Sequence, residues 1–197
     1  MTDESNRAIP AQLFAGEGEM KALVRSFDWS ATPLGAIESW PQSLRTSVSI
    51  CLNSRFPMVL WWGKELRLIY NDAWRAIPGD RHPRSLGSRG CDVFSESWHI
   101  IEPQLKSVLK TGQATWEDDL LLPVLRSGYL EEAYYTYSYS PVLLETGEVG
   151  GVFTAVAETT HHVLAQRRTA TLRDLAAQTG EAKLIEQAYR MSIATLA

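Results

Sequence analysis

From Ala133 to Ser140 the chain reads Ala-Tyr-Tyr-Thr-Tyr-Ser-Tyr-Ser, and no other stretch limits the fold as much. Successive side chains of a strand point to opposite faces. Ala133, Tyr135, Tyr137 and Tyr139 therefore fall on one side, and Tyr134, Thr136, Ser138 and Ser140 on the other. Aromatic and hydroxylated β-formers at this density favour a pleated surface. The strand is expected over Tyr129 to Ser140. Its neighbours are close in sequence: Ala114 to Leu122 before it, Gly150 to Glu158 after it, and Glu145-Thr-Gly-Glu148 as the turn between.

A second sheet signal lies nearer the N-terminus. Phe56-Pro-Met-Val-Leu-Trp-Trp62 is apolar at both alternating sets of positions, as in a strand covered on both faces. Gly63-Lys64 turns the chain, and Leu66 to Tyr70 returns as its hairpin partner. Asn71-Asp72 caps a short helix containing Trp74 and Ile77. Residues 78–97, rich in Gly, Pro, Arg and Ser, read as loop with one or two helical turns. Trp98, Ile101, Leu105, Val108 and Leu109 mark a longer helix with Pro103 in its early turns and Thr111-Gly112 as its stop. Two strands, several short helices, one long helix and three antiparallel strands make an α+β layout with a five-stranded sheet.

The flanks of this unit are helical. Residues 1–17 are small or polar and expected to be flexible. Residues 18–54 form a helical cap. Met20, Leu23, Val24 and Phe27 share one helix face, a connector with Pro33 and Gly35 follows, and Leu44, Val48, Cys51 and Leu52 mark a second helix with Pro41 in its first turn. That second stripe is the nearest candidate to cover the outer face of the 56–62 strand. Residues 55–158 hold the sheet. Beyond it, 159–197 reads as two helical segments broken at Gly180. Leu164, Arg168, Thr171, Leu175, Gln178, Ala182, Ile185 and Tyr189 step by four and three, the rhythm of a coiled coil with a weak, partly polar seam.

Composition excludes several classes. Apolar residues are 45% and charged residues 21% of the 197, the balance of a soluble globular protein. The longest apolar stretch, Phe56 to Trp62, is far short of the ~20 residues of a bilayer span. The N-terminus has no signal-peptide pattern. Two cysteines, Cys51 and Cys91, without a C-x-x-C pair fit a reduced cytoplasmic protein. A net charge of −4 offers no basic field for nucleic acid. Phosphate-loop, nucleophile-elbow, H-E-x-x-H and kinase ATP-site motifs are missing, so this chain is not expected to be an enzyme.

Three stretches resemble the PAS family. Trp61-Trp-Gly-Lys-Glu-Leu-Arg-Leu-Ile-Tyr-Asn-Asp-Ala-Trp74 is similar to the opening PAS hairpin, which ends in an Asn-Asp or Asn-x-Ala turn into a helix. Val108-Leu-Lys-Thr-Gly-Gln113 resembles the end of the long PAS helix. Ala157-Glu158-Thr159-Thr160 resembles the Asp-x-Thr junction closing many PAS domains, with Glu158 in place of Asp. From Phe27-Asp-Trp-Ser30 onward the chain also resembles the N-terminal sensor region of bacterial histidine kinases, where a PAS domain precedes a GAF domain. The likeness covers roughly residues 20–197.

The resemblance implies a PAS sensor module of a two-component system, with an N-terminal helical cap and a C-terminal signalling helix. It implies a cavity between sheet and helices for an unidentified small molecule. Trp62, Tyr70, Trp74, His99, Trp116, Tyr135, Tyr137 and Phe153 are the expected ligand-binding residues, and Glu158, Thr159 and Thr160 the signal junction. The expected partners are a second copy, paired through the C-terminal helix, and downstream GAF or kinase domains. A dimerisation scaffold whose aromatics simply fill the core stands as the alternative. A haem-based gas or redox sensor is a third reading, with His99 on the long helix as axial ligand.

Other motifs point to weaker chemistry. Arg89-Gly-Cys-Asp-Val-Phe94 resembles the cysteine loop of flavin-binding light-sensing PAS relatives, but Gly90 and Asp92 replace that loop's Asn and Arg. Residues 131–158 also contain no Asn or Gln to hold a flavin edge. His161 and His162 point about 100° apart on a helix and make a poor chelate. Glu117-Asp-Asp119 reads as an exposed or edge-protecting acidic strand, with Glu117 and Asp119 sharing a face.

Overall fold

The aromatic alternation of the central strand and the apolar hairpin near the N-terminus meet in one sheet. The computed structural model describes residues 14–126 and 128–196, without the side chains of 182 and 192–196. Most of the N-terminal segment expected to be flexible lies outside the described residues. Within it, Phe14 is buried, with its ring 6.3 Å from that of Trp40.

Helix α1 (Glu19–Ser26) buries Met20 and Val24, and α2 (Gln42–Asn53) buries Leu44, Val48, Cys51 and Leu52. Between them, short 3-10 turns bring Trp29 and Trp40 edge to face at 5.1 Å. Their indole N–H groups donate to the carbonyls of Val24 and Gly35, so both rings are buried without an orphaned donor.

Strands β1 (Met58–Trp62) and β2 (Arg67–Tyr70) form the hairpin. A 3-10 helix at Asp72–Ala76, a further turn at Gly79–Arg81 and the short α3 (Gly90–Val93) cross over the sheet. Helix α4 (Trp98–Thr111) then runs to Gly112, whose φ of 67° closes it in the left-handed conformation that glycine adopts at no steric cost. The remaining strands are β3 (Thr115–Leu121), β4 (Val124–Arg126), β5 (Tyr129–Glu131), β6 (Tyr134–Leu143) and β7 (Val149–Glu158). Of the seven strands among the described residues, five make one antiparallel sheet in the order β2-β1-β7-β6-β3.

Three expectations are corrected. The strand over Tyr129 to Ser140 is divided: β5 pairs with β4 in a separate two-stranded ribbon, and the long strand begins at Tyr134. Segments of three residues are too short to show a period of two. The regular face assignment of Glu117 and Asp119 also fails, because the β3–β6 register shifts between Glu117 and Leu120 and Asp119 has φ 49°. Thr136 Oγ1 holds this bulge, accepting from the Asp119 N–H at 3.1 Å and donating to Asp118 at 2.8 Å. Finally, α5 (Thr160–Leu196) is continuous through Gly180. One glycine costs a helix only about 1 kcal/mol relative to alanine, too little to break it.

The chain divides into two units at Glu158/Thr159. In the second, α5 leaves Leu172, Leu175, Leu184, Ile185 and Tyr189 exposed. No helix among the described residues is long and apolar enough to cross a membrane.

Register decides which side chains meet. Directly paired residues in an antiparallel sheet project to the same face. One face therefore carries Val59, Tyr70, Thr154 and Tyr139 in one row, with Trp61, Leu68 and Val152 in the next. The other carries Leu60, Ile69 and Phe153, then Trp62, Arg67 and Gly151. Helix α4 packs on β6 and β7, and α2 on β1 and β2. The Cys51 thiol lies 3.5 Å from the Met58 carbonyl, which places the buried α2 stripe against the start of β1.

Candidate functional site

A cavity of about 50 Å³ lies between the first of these faces and the crossing helices. The sheet contributes Val59 and Trp61 from β1, Tyr135, Tyr137 and Tyr139 from β6, and Thr154 and Val156 from β7. The crossover contributes Trp74, Ile77, Phe94, Ser97 and Ile101, and the lead into β4 contributes Leu122 and Val124. Trp61, Phe94 and Trp74 interlock, with ring centroids 6.1 Å apart for the first pair and 5.7 Å for the second.

Several polar groups of this wall already have partners. The Trp61 indole donates to Thr154 Oγ1 at 2.9 Å, and the Tyr137 hydroxyl to Gln104 Oε1 at 3.0 Å. Ser97 Oγ donates to the Pro123 carbonyl. The Tyr135 hydroxyl accepts from Arg126 at 2.8 Å. Burial pushes the Tyr137 hydroxyl up to about 12 and raises those of Tyr135 and Tyr139 as well, so all three stay neutral near pH 7. The chemistry on offer is apolar contact, with tyrosines already committed to their partners.

Arg126 connects this wall to the end of the sheet. Its guanidinium touches Tyr135 and also binds both carboxylate oxygens of Glu158, at 2.9 and 3.2 Å, with Glu131 at 3.6 Å. Glu158 is the last residue of β7. A second clamp secures β4: Arg81 pairs with Glu96 at 2.8 Å, and Glu96 accepts the Leu125 N–H at 2.9 Å.

Of the residues expected to bind ligand, Trp74, Tyr135 and Tyr137 line the cavity. Trp62, Trp116 and Phe153 fall on the other face of the sheet by register. Trp62 lies across Gly150 and Gly151, where a Cβ would come within 3.0 and 2.6 Å of its ring, while Trp116 is 65% exposed. Tyr70 shares the cavity's face but sits behind Trp74, bonded to His82 at 2.9 Å. His99 is exposed on α4 and does not line the cavity. Cys91 is half-buried, and its thiol lies 3.7 Å from Asp92. At about 50 Å³ the cavity is well below the ~300–1,000 Å³ typical of small-molecule pockets. Among the described residues no cluster of acids, histidines and cysteines is placed to hold a metal.

Tyr139 was within reach of sequence reasoning, since it shares the alternation of Tyr135 and Tyr137. Trp61 was equally visible as a neighbour of Trp62, but nothing local told which of the two faces inward. Phe94, Thr154 and Arg126 carry no periodic signal.

No family model matches this sequence, and no curated protein does. Among solved structures, the chain is similar to a sensory box sensor histidine kinase from Vibrio cholerae, at 15% identity and TM-score 0.44 over 52% of this chain and 81% of that one. It is similar to the PAS domain of Bordetella pertussis BvgS, at 19% identity and TM-score 0.48 over 66% and 96%. It is also similar to an RNA-binding light-oxygen-voltage receptor, at 14% identity and TM-score 0.48 over 89% of this chain and 64% of that one. A two-stranded hairpin, a helical crossing, a long helix and a three-stranded meander, joined in one antiparallel sheet around an aromatic cavity, give this chain the PAS fold.

Proposed function

We propose that this chain is the sensor module of a bacterial signal-transduction protein, in the setting of a cytoplasmic two-component histidine kinase. A small, mostly apolar molecule settles among Trp61, Trp74, Phe94 and the β6 tyrosines. The signal leaves through α5 toward downstream GAF or kinase domains. The observation that carries this reading is the path Tyr135–Arg126–Glu158, which ties one cavity side chain to the residue just before Thr159 and Thr160. Sensing, more than catalysis, is the reading that the apolar and aromatic wall of the cavity supports.

Helix α5 supports a second copy as the partner. A single helix with Leu175, Ile185 and Tyr189 exposed gains by burying them against its own counterpart, and a partly polar seam keeps that pairing weak. Weak pairing suits signalling, because a ligand's modest differential binding can then shift the balance of two arrangements. The small size of the cavity favours a second reading, a dimerisation scaffold with a filled core.

Titration of the full chain with benzene and indole separates the two. For a sensor, a probe changes tryptophan emission and alters hydrogen exchange over residues 160–170. In Arg126→Gln the emission change persists and the exchange response is lost. A chain that binds neither probe is the scaffold. Binding with the same exchange response in Arg126→Gln as in the wild type would remove Arg126 from the path.

A further inference from the structure

Helix α1 is capped by residues far away in the chain. Its N-cap position is Gly18, which has no side chain to offer, and the helix has only eight residues, too few to persist alone. Asp72 supplies the missing cap: its Oδ1 accepts the Met20 N–H at 3.1 Å across a separation of 52 residues. The carboxylate fills the place a capping side chain would take. A Cβ at Gly18 would lie 2.7 Å from Asp72 Oδ2, and Gly18 has φ 132°. Glu19, in the first turn of α1, is gripped by two more groups. Arg75 binds one carboxylate oxygen, and His82 Nε2 lies 3.0 Å from the other.

All three holdfasts belong to the segment that builds the cavity wall. Asp72, Trp74 and Arg75 share one five-residue 3-10 helix, whose N-cap Asn71 bonds the Trp74 N–H at 3.1 Å. His82 reaches the same place from the other side, because its Nδ1 lies 2.9 Å from the hydroxyl of Tyr70, and the Tyr70 ring is 4.8 Å from that of Trp74. One short 3-10 helix thus carries Trp74 toward the cavity and Asp72 and Arg75 toward α1.

We propose that this 3-10 helix is a lever: an occupant that displaces Trp74 withdraws Asp72 and Arg75 from α1 and releases the N-terminal helix. The cavity then has a second output, toward the N-terminal cap, separate from the Glu158 path. The proposal rests on the cavity as the ligand site, so its test includes arms that need no ligand.

Hydrogen exchange on the full chain reads the lever directly. Asp72→Ala is expected to speed exchange of the Met20–Val24 amides at least tenfold while those of α4 and β6 keep their rates. Trp74→Ala is expected to do the same from the cavity side, with indole restoring slow exchange. Trp74→Phe, a milder change, decides the matter if Trp74→Ala does not fold. The lever is overturned if the Trp74 variants leave α1 at its wild-type rate, or if α1, α4 and β6 accelerate together. Fast α1 exchange in the Trp74 variants, with no benzene or indole bound by the wild type, keeps the lever and discards the cavity as a ligand site.

Discussion

Asn71 joins three elements, and its removal tests how the crossover is built. The side chain is fully buried. Its Oδ1 accepts from the N–H groups of Met58 and Trp74, both at 3.1 Å, and its Nδ2 donates to the carbonyls of Ser54 at 3.1 Å and Phe56 at 2.7 Å. Asn71→Ala strands the Met58 N–H and strips the two carbonyls. The Trp74 N–H keeps the Asn71 backbone carbonyl at 3.1 Å. Orphaned buried groups cost roughly 1–3 kcal/mol each, with the carbonyls at the low end, so we expect a loss of about 3–5 kcal/mol. For a chain of this size that lowers the melting temperature by roughly 6–20 °C.

Asn71→Asp refines the test. The carboxylate keeps both accepted bonds but faces two carbonyl oxygens, so its folded-state pKa rises above the ordinary ~3.9. The deficit is complete above that raised pKa and shrinks as the pH falls toward the unfolded value, because the protonated acid can donate to one carbonyl. Urea unfolding followed by tryptophan emission at pH 7 and pH 5 measures both variants. A loss under about 1 kcal/mol for Asn71→Ala, or an Asn71→Asp deficit that does not change with pH, would refute this account of the joint.

Val48→Asp places a charge at a fully buried position of α2 and is expected to cost about 4 kcal/mol. Unchanged thermal melting would mean that α2 does not seal the sheet. Gly180→Ala acts in the opposite direction: a Cβ there meets nothing within 4 Å, so α5 should gain about 1 kcal/mol of local helix stability. Far-ultraviolet dichroism on warming reads this as delayed loss of helix, and an earlier loss would restore the break at Gly180.

The sequence alone determined what depends on near neighbours. Alternation over Ala133–Ser140 set which tyrosines share a face, because strand side chains repeat every two residues whatever lies beyond them. The stripe Leu44, Val48, Cys51 and Leu52 announced the buried side of α2 for the same reason, at helical spacing. Asn71 stood out as a cap because its oxygen reaches an N–H three residues on. Only tertiary structure decided how these pieces meet. The 56–62 strand is apolar at every position, so its own pattern cannot tell whether Trp61 or Trp62 faces the cavity; pairing with Val152 and Gly151 of β7 decides it. The bulge at Asp119 depends on Thr136 in the neighbouring strand, and the cap of α1 on a carboxylate 52 residues away. Trp116 reads as strongly as Tyr137 in the sequence, yet it stands in solvent, because burial belongs to the surface that arrives opposite a residue and a one-residue step along a strand exchanges one surface for the other.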